Sequence, residues 1–255
     1  MKYKLILPIV AMLLFSGCAW FAGSKTDEKT AQELVNDGME AYNRQSYRSA
    51  IESFQKLKDW YPFSKYAILA ELKIADSHFY LEEYEAAIVA YESFENLHPR
   101  NDATPYVIFQ RGMSYIKQME TIDRDQTSAK KAIETFNRLK KIYPASEYSA
   151  QAENYIRLSL KNLAGHEFYV GEFYFKNKRY KAAIVRFKTV VTGYPDVGLT
   201  QKALEYITRC ETELAKQAPP VAKSDSWAFC WTSTIHINHE LHKTLSIKFF
   251  TLSKY

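Results

Sequence analysis

Residue types that catalyse reactions or bind metals are scarce in this sequence of 255 residues, which holds 6 His and 3 Cys. No P-loop, no H-E-x-x-H and no G-x-S-x-G motif is present. His236, His239 and His242 are spaced by three residues, so two of them could share a metal ion on a helix. They follow a Pro pair, however, in a segment of atypical composition, so we favour a weakly ordered tail over 218–255. We therefore expect no catalytic residue, no metal site, no cofactor and no enzymatic activity.

The N-terminal segment has the composition of an export signal. Lys2 and Lys4 precede an apolar stretch from Leu5 to Phe15, and small residues come directly before Cys18. This order is typical of a secretory signal peptide. The apolar stretch is shorter than the ~20 residues that a membrane-spanning helix needs. We therefore predict a cleaved signal peptide over 1–17.

Cys18 is a candidate for lipid attachment. The run Leu14-Phe15-Ser16-Gly17-Cys18 resembles the lipobox of bacterial lipoproteins, in which the cysteine becomes the first mature residue and carries acyl chains. Several acyl chains anchor a protein stably, whereas one chain binds only marginally. Ala19 in place of Asp implies, by the same resemblance, transfer to the outer membrane. We predict a lipidated tether over 18–29. The other two cysteines, Cys210 and Cys230, could pair in an oxidising compartment, and the sequence leaves this open.

The body of the chain repeats one helical pattern. Each copy has Ala and Ile in succession, an aromatic residue four positions after the Ala, and Pro twelve positions after it. In the first copy Ala50, Phe54 and Leu57 share one face of a helix, and Pro62 ends that helix. The four copies are 47–62, 84–99, 129–144 and 180–195.

A second helix precedes each copy. Gly38, Ala75 and Gly171 each lie twelve residues before the Ala of their copy, where a small residue lets paired helices approach closely. This is the tetratricopeptide (TPR) pattern. In the third copy seventeen residues separate Gly112 from Ala129, so we expect a loop or longer helix near 121–126. The predicted fold is all-α, an α-solenoid of four to five TPR repeats over 30–217. The aromatic residues expected in its core are Tyr47, Phe54, Tyr61, Tyr84, Tyr91, Phe136, Tyr143, Tyr180, Phe187 and Tyr194.

Charge is unevenly distributed along the repeats. Positions 71–95 hold seven acidic residues and one basic residue, whereas 173–195 holds six basic residues and no acidic one. Opposite charges at two ends can steer protein partners, although solvated faces would look the same. Arg186 interrupts an apolar run and is the first candidate contact, together with Lys178 and Arg179. We do not expect nucleic acid as a partner, because the basic cluster is short and the full chain carries only +5.

Two stretches resemble a known family. Tyr61 to Ala67 (YPFSKYA) and Tyr106 to Gly112 (YVIFQRG) are similar to the most distinctive stretches of the outer-membrane assembly lipoproteins called BamD or ComL. The resemblance covers about 14–216 and leaves out the tail. It implies five TPR repeats and a role without catalysis in the β-barrel assembly machinery. The N-terminal repeats would form a concave pocket for an extended targeting peptide. The C-terminal repeats would hold a POTRA domain of the barrel subunit BamA.

The resemblance also implies partners and a location. We expect a lipid-anchored protein on the periplasmic face of the outer membrane, in contact with a BamA-like barrel protein, other assembly lipoproteins and unfolded outer-membrane proteins. Client peptides would bind at Tyr61, Pro62, Phe63 and Tyr66, where Ser64 is a candidate N-cap of the next helix. The POTRA domain would bind at Arg186, Lys178 and Arg179. The alternative is a periplasmic TPR lipoprotein that organises cell-wall or division proteins.

Overall fold

The computed structural model describes residues 28–195 and 197–217. Cys18, the histidines 236, 239 and 242, and the predicted segments 1–17 and 218–255 lie outside the described residues. Within them, the regular elements are all helices. They are α1 (Ala31–Asn43), α2 (Tyr47–Trp60), α3 (Ala67–Tyr80), α4 (Tyr84–Leu97), α5 (Thr104–Lys117), α6 (Thr127–Ile142), α7 (Glu147–Lys176), α8 (Tyr180–Gly193) and α9 (Thr200–Gln217).

The helices stack in chain order. Each helix packs chiefly against the one before and the one after it, and short turns make these neighbours antiparallel. In addition, α1 contacts α3 and α5 contacts α7. The odd-numbered helices therefore line one side of the stack, the inner face, and the even-numbered helices line the other, the outer face. Four helix pairs followed by α9 confirm the predicted all-α TPR solenoid.

Close packing of glycine against phenylalanine holds three of the pairs together. A Cβ placed on Gly38, Gly112 or Gly171 would come within 2.5, 2.4 or 2.6 Å of the phenylalanine ring that faces it. These rings, of Phe54, Phe136 and Phe187, are fully buried. The absence of a side chain therefore lets the first helix of each pair rest directly on an aromatic ring of the second. The spacing of small and aromatic residues that indicated the repeat is thus the packing of the pair.

The aromatic core was predicted correctly at the centre of the repeats and wrongly at their ends. Tyr91 and Tyr180 are buried like the three phenylalanines, whereas five of the expected core tyrosines are only half-buried. Two of these donate hydrogen bonds from their hydroxyls to backbone carbonyls earlier in the chain: Tyr61 to Lys29 at 3.0 Å, and Tyr143 to Pro99 at 3.2 Å. Each ring is therefore partly packed on the core, while its hydroxyl bonds to the backbone at the surface. The half-buried set is Tyr47, Tyr61, Tyr84, Tyr143 and Tyr194.

The third repeat contains eight more residues between its two paired helix faces than the first repeat does. Gly112 faces Phe136, which lies 24 positions later, whereas Gly38 faces Phe54 only 16 positions later. Ala132 therefore corresponds to Ala50, as it does in the predicted copy 129–144, and the spacing of seventeen residues from Gly112 was counted to the wrong alanine. Most of the eight extra residues lie in the loop 118–126, where a loop was expected, and the others lengthen the start of α6.

That loop, residues 118–126, is fastened to α7. The side chain of Asn162 donates to the carbonyl of Glu120 at 3.0 Å, and Nδ1 of His166 contacts the carbonyl of Ile122 at 2.7 Å. A Cβ on Gly165 would come within 2.9 Å of the Ile122 side chain. The insertion therefore packs as part of the solenoid.

α7 is a single helix of 30 residues. Ser146 caps its start, because its hydroxyl accepts a hydrogen bond from the backbone N–H of Tyr148 at 3.3 Å. The helix packs on α6 and contacts α5, and through Gly171 it pairs with Phe187 of α8. α7 therefore packs against the helices of the third repeat and also forms the first helix of the fourth repeat, without a turn between these two parts. None of the described helices is both long enough and apolar enough to cross a membrane.

Candidate binding surfaces

The turn between α2 and α3 contains all four residues predicted to bind client peptides, but it uses two of them internally. The hydroxyl of Tyr61 bonds to the carbonyl of Lys29, and the hydroxyl of Tyr66 bonds to the side chain of Gln32. Phe63, by contrast, is fully exposed. The two tyrosines thus hold the start of α1 against the turn and leave Phe63 free to contact a ligand.

The N-cap prediction at this turn was wrong. α3 begins at Ala67 with Tyr66 as its N-cap residue, and no side chain caps the helix. The hydroxyl of Ser64 instead accepts a hydrogen bond from the backbone N–H of Tyr66 at 3.2 Å. Ser64 therefore shapes the turn, and the helix starts two residues later than predicted.

A buried carboxylate ties the second repeat to the third. Asp76 is 1% exposed, and its carboxylate accepts hydrogen bonds of 2.9 Å from Lys73, Tyr91 and Tyr106. These donors lie on α3, α4 and α5. Burial, and after it the nearby Asp76 charge, raises the pKa of both tyrosines. The sequence analysis missed this network. A signal was present, because Asp76 directly follows the apolar residues Ile74 and Ala75 in a helix that packs into the core, and a charged residue there needs partners.

Aromatic rings line the inner face beside this network. Nζ of Lys73 lies 4.3 Å from the ring centroid of Tyr42, and the ring of Tyr80 stacks on that of Tyr47 at 5.1 Å. Tyr80 is 49% exposed. Burial, followed by the Asp76 charge, raises the pKa of the Tyr42 hydroxyl. The inner face of the first two repeats therefore offers aromatic surface next to a lysine.

The stretch Tyr106 to Gly112 is internal, apart from half-buried edges. Arg111 is 7% exposed and pairs with Glu95 at 3.2 Å, and Glu95 also binds Arg138 of α6. Phe109 packs against Phe136, with ring centroids 5.8 Å apart. One of the two stretches that carry the family resemblance therefore holds α4, α5 and α6 together.

The basic residues predicted to bind a partner lie around the start of α8. Lys178 and Arg179 occupy the turn between α7 and α8 and are exposed, and Lys178 has a left-handed φ of 58°. Arg186 lies about 10 Å further along the helix at 1.5 Å per residue. Its guanidinium bonds to Glu167 of α7 at 3.0 Å. The sequence window of six basic residues did not include this acidic neighbour, so the surface is less positive than the window predicted.

A groove runs between α2 and α4 on the outer face. It encloses about 560 Å³, and residues of α3, including Glu71, Ile74 and His78, form its floor. The imidazoles of His98 and His78 contact Glu71 at 2.6 Å and Glu83 at 2.8 Å. Val89 stands in the α4 wall of the groove and is 66% exposed. The groove thus combines an apolar wall with carboxylates.

No cluster of metal-binding side chains occurs within residues 28–195 and 197–217. Cys210 of α9 is buried, and this burial raises the pKa of its thiol. Cys230, with which Cys210 could pair, lies outside the described residues, as does Cys18.

The chain is similar to known outer membrane proteins. Residues 27–225 match a family model named YfiO and described as an outer membrane lipoprotein. Three relatives carry the name outer membrane protein assembly factor BamD. The one from Caulobacter vibrioides is 27% identical, with 78% of this chain and 66% of the relative aligned. The one from Rickettsia prowazekii is 30% identical, with 73% and 74% aligned. The one from Vibrio cholerae is 26% identical, with 80% and 89% aligned.

The chain also has some similarity to solved structures, at low sequence identity. A thermophilic TPR protein from Thermus thermophilus is 15% identical and has a TM-score of 0.39, with 73% of this chain and 100% of that chain covered.

Proposed function

Because the chain belongs to the YfiO family of outer membrane lipoproteins, we propose that it is an assembly factor for outer membrane proteins. Lipid on Cys18 would anchor it on the periplasmic face of the membrane. The family match, which spans the whole described solenoid, is the observation that carries the proposal. The named function of the relatives supports it, and so does a fold whose exposed surfaces suit binding of proteins.

The turn at Phe63 is the proposed contact for unfolded clients. A fully exposed phenylalanine gains apolar burial only when a ligand covers it, which is worth about 1.5–3 kcal/mol for a side chain of this size. Pro62 is exposed beside it, and Tyr61 and Tyr66 hold the turn in place. We propose that the turn binds an aromatic side chain at the end of an extended client segment.

The inner face extends this proposed client site. α3 leads from the turn to Tyr80 over 14 residues, or about 21 Å at 1.5 Å per residue. An extended peptide covers this distance with about six residues at 3.4 Å each. Such a segment would place one end on Phe63 and the other on the exposed ring of Tyr80, near Lys73.

Client binding is tested with Phe63→Ala and Tyr80→Ala. We expect each to weaken binding of a synthetic peptide with an aromatic C-terminal end of an outer-membrane protein by about tenfold, the cost of losing part of a buried aromatic contact. Phe173→Ala is the matched control, because Phe173 is also an exposed aromatic residue, at 58%, but lies at the other end of the solenoid. Equal affinity of all three variants and the parent protein would reject the site.

The basic turn before α8 is the proposed contact for the barrel subunit. Lys178 and Arg179 are exposed charges, and Arg186 lies on the same side of α8 as Arg179 because seven residues make nearly two turns. We propose that the three side chains bind an acidic patch on a POTRA domain. On binding, Arg186 would either keep its ion pair with Glu167 while it contacts the partner, or exchange that ion pair for one with the partner.

Two variants, one single and one double, test this contact and are designed to keep the fold. Lys178→Gly removes the charge at a position whose left-handed φ suits glycine, so the turn is kept. Arg186→Glu combined with Glu167→Arg reverses the internal ion pair and keeps it intact. We expect both to reduce the amount of barrel protein that co-purifies, by tenfold or more for the exchanged pair. If the exchanged pair co-purifies as well as the parent, Arg186 contributes only to the fold.

The function as a whole is tested by identifying the partners. The lipidated protein is solubilised gently from membranes, purified through an internal tag, and its partners are identified by mass spectrometry. A POTRA-bearing barrel protein in near-stoichiometric amount would support the assembly function. Recovery of cell-wall enzymes or division proteins in its place would favour the alternative function.

A further inference from the structure

The outer face of α4 differs from that of its counterparts in the first and third repeats. The outward position five residues after the start of the repeat pattern is Glu52 in α2 and Glu134 in α6, both exposed. In α4 the same position is Val89, which is 66% exposed. It is flanked by two exposed acidic residues, Glu85 one turn before and Glu92 one turn after. α4 therefore presents an apolar residue between carboxylates where the first and third repeats have a charge.

α8 carries the same arrangement with opposite charge. Its residue at this position is Val185, which is 63% exposed. The flanking positions are Lys181 and Lys188, both exposed. Arg186, which bonds to Glu167, lies on the flank of this face. We call Glu85, Val89 and Glu92 the acidic face, and Lys181, Val185 and Lys188 the basic face.

The two faces match each other when the helices run antiparallel. If Val89 lies against Val185, then Glu85 lies opposite Lys188 and Glu92 lies opposite Lys181, because residues four before and three after a position share its helix face. α6 lies between α4 and α8 along the stack, so the two faces of one molecule do not meet. Complementary faces that cannot meet within one molecule can meet between two molecules.

The surroundings of Val89 provide space for such a contact. Val89 and the small residues Ala86 and Ala90 form one wall of the groove between α2 and α4, and Ile74 lies in its floor. Small side chains allow a second helix to approach closely. Glu71 adds a further carboxylate in the groove.

We propose that the acidic face of α4 binds the basic face of α8 of a second copy of this chain. The contact uses different surfaces on the two copies, so one copy can bind a neighbour on each side, and the assembly grows as a row or closes as a ring. A single pair of helix faces is smaller than the ~1,600 Å² of a stable interface. The association is therefore weak in solution and is expected where copies are concentrated on a membrane.

The experiment uses the full lipidated chain reconstituted in vesicles of phosphatidylethanolamine and phosphatidylglycerol. Cys230→Ser is present throughout, and the buried Cys210 is kept. Val89→Cys protein is mixed with Val185→Cys protein and treated with a short bismaleimide cross-linker. We expect a cross-linked dimer in the mixture and at most one tenth of it with either protein alone. A chain that carries both cysteines should give a ladder of larger products.

Charge exchange tests whether the contact is the proposed one. Glu85→Lys in the Val89→Cys protein should reduce the dimer at least tenfold; Glu92 is left unchanged because it also pairs with the buried Arg111 at 3.5 Å. Lys188→Glu in the Val185→Cys protein, opposite Glu85, should then restore it. Glu134→Lys, a charge reversal at the matching position of α6, is the control and should leave the yield unchanged. Far-UV circular dichroism verifies that each variant is folded.

Three outcomes would overturn the proposal. One is the absence of dimer from the mixture at any protein density on the vesicles. Another is a dimer that forms equally well from Val89→Cys protein alone, which would indicate a symmetric contact. The third is a dimer whose yield does not respond to the charge exchange, since this would show cross-linking by random collision.

Discussion

Removal of the Asp76 carboxylate should destabilise the solenoid more than any other single loss of a side-chain charge described above. Asp76→Ala deprives Lys73, Tyr91 and Tyr106 of their shared acceptor, and the Tyr91 side chain is fully buried. Breaking a buried ion pair by removing one partner costs about 3–5 kcal/mol. A buried hydroxyl left without a partner costs about 1–3 kcal/mol. This cost is not added to the cost of breaking the ion pair, because the hydroxyls and the ion pair belong to one network.

The expected loss is therefore about 3–5 kcal/mol, which lowers the melting temperature by about 6–20 °C for a protein of this size. Thermal unfolding followed by circular dichroism at 222 nm and pH 7 measures it. Asp123→Ala is the control, because Asp123 is an exposed loop carboxylate bonded only to nearby groups, and it should shift the melting temperature very little.

Tyr91→Phe separates the network from the charge alone. It removes one hydroxyl and should cost about 1 kcal/mol in the parent. In the Asp76→Ala background it should cost less, because the hydroxyl has already lost its acceptor. A melting temperature for Asp76→Ala within 2 °C of the parent would refute the idea that this network holds the second and third repeats together.

Three further predictions concern packing, backbone and pH. Gly112→Ala should lower the urea midpoint, because its Cβ would come within 2.4 Å of the buried Phe136 ring and such overpacking costs about 1–3 kcal/mol. Glu82→Gly should raise the free energy of unfolding by at most about 1 kcal/mol, because Glu82 has a left-handed φ of 62° that glycine adopts without strain. Alkaline pH should destabilise the fold. Burial raises the pKa of Tyr91 and Tyr106, so their contribution is complete below the unfolded pKa of about 10 and is lost as pH rises above it. Tyrosinate absorbance at 295 nm and circular dichroism, followed together, should show these hydroxyls ionising only as the helix signal falls.

The repeat fold could be predicted because its packing is recorded locally in the sequence. Gly38 and Phe54 lie sixteen residues apart, and their types and spacing already describe the helix pair that they form. The copy 129–144 was aligned correctly, but its spacing from Gly112 was counted to Ala129 in place of Ala132, because the sequence alone does not show that Gly112 and Phe136 are in contact across the eight inserted residues.

The candidate sites were harder to predict because their geometry depends on contacts between repeats. Tyr66 looked available for a ligand, but its hydroxyl bonds to Gln32, 34 positions earlier. Arg186 looked like a free charge, but Glu167 of the preceding helix accepts its hydrogen bond. Side-chain types therefore indicated which residues could bind, whereas the solenoid determines which of them are left available. Phe63, Lys178 and Arg179 are among those left exposed.

The unbroken α7 has a mechanical consequence for the molecule. In a solenoid each repeat contacts only its neighbours, and small rotations between successive repeats set the curvature and twist of the whole molecule. A turn between repeats acts as a joint for such rotations. Beyond the turn 143–146, α7 is a rod of 30 residues, about 45 Å long at 1.5 Å per residue, that contacts both helices of the third repeat and pairs with α8 without a break. The loop 118–126 braces the rod near its middle through Asn162 and His166. The second half of the solenoid should therefore turn as one stiff body, and the softer joints lie towards the N-terminal repeats.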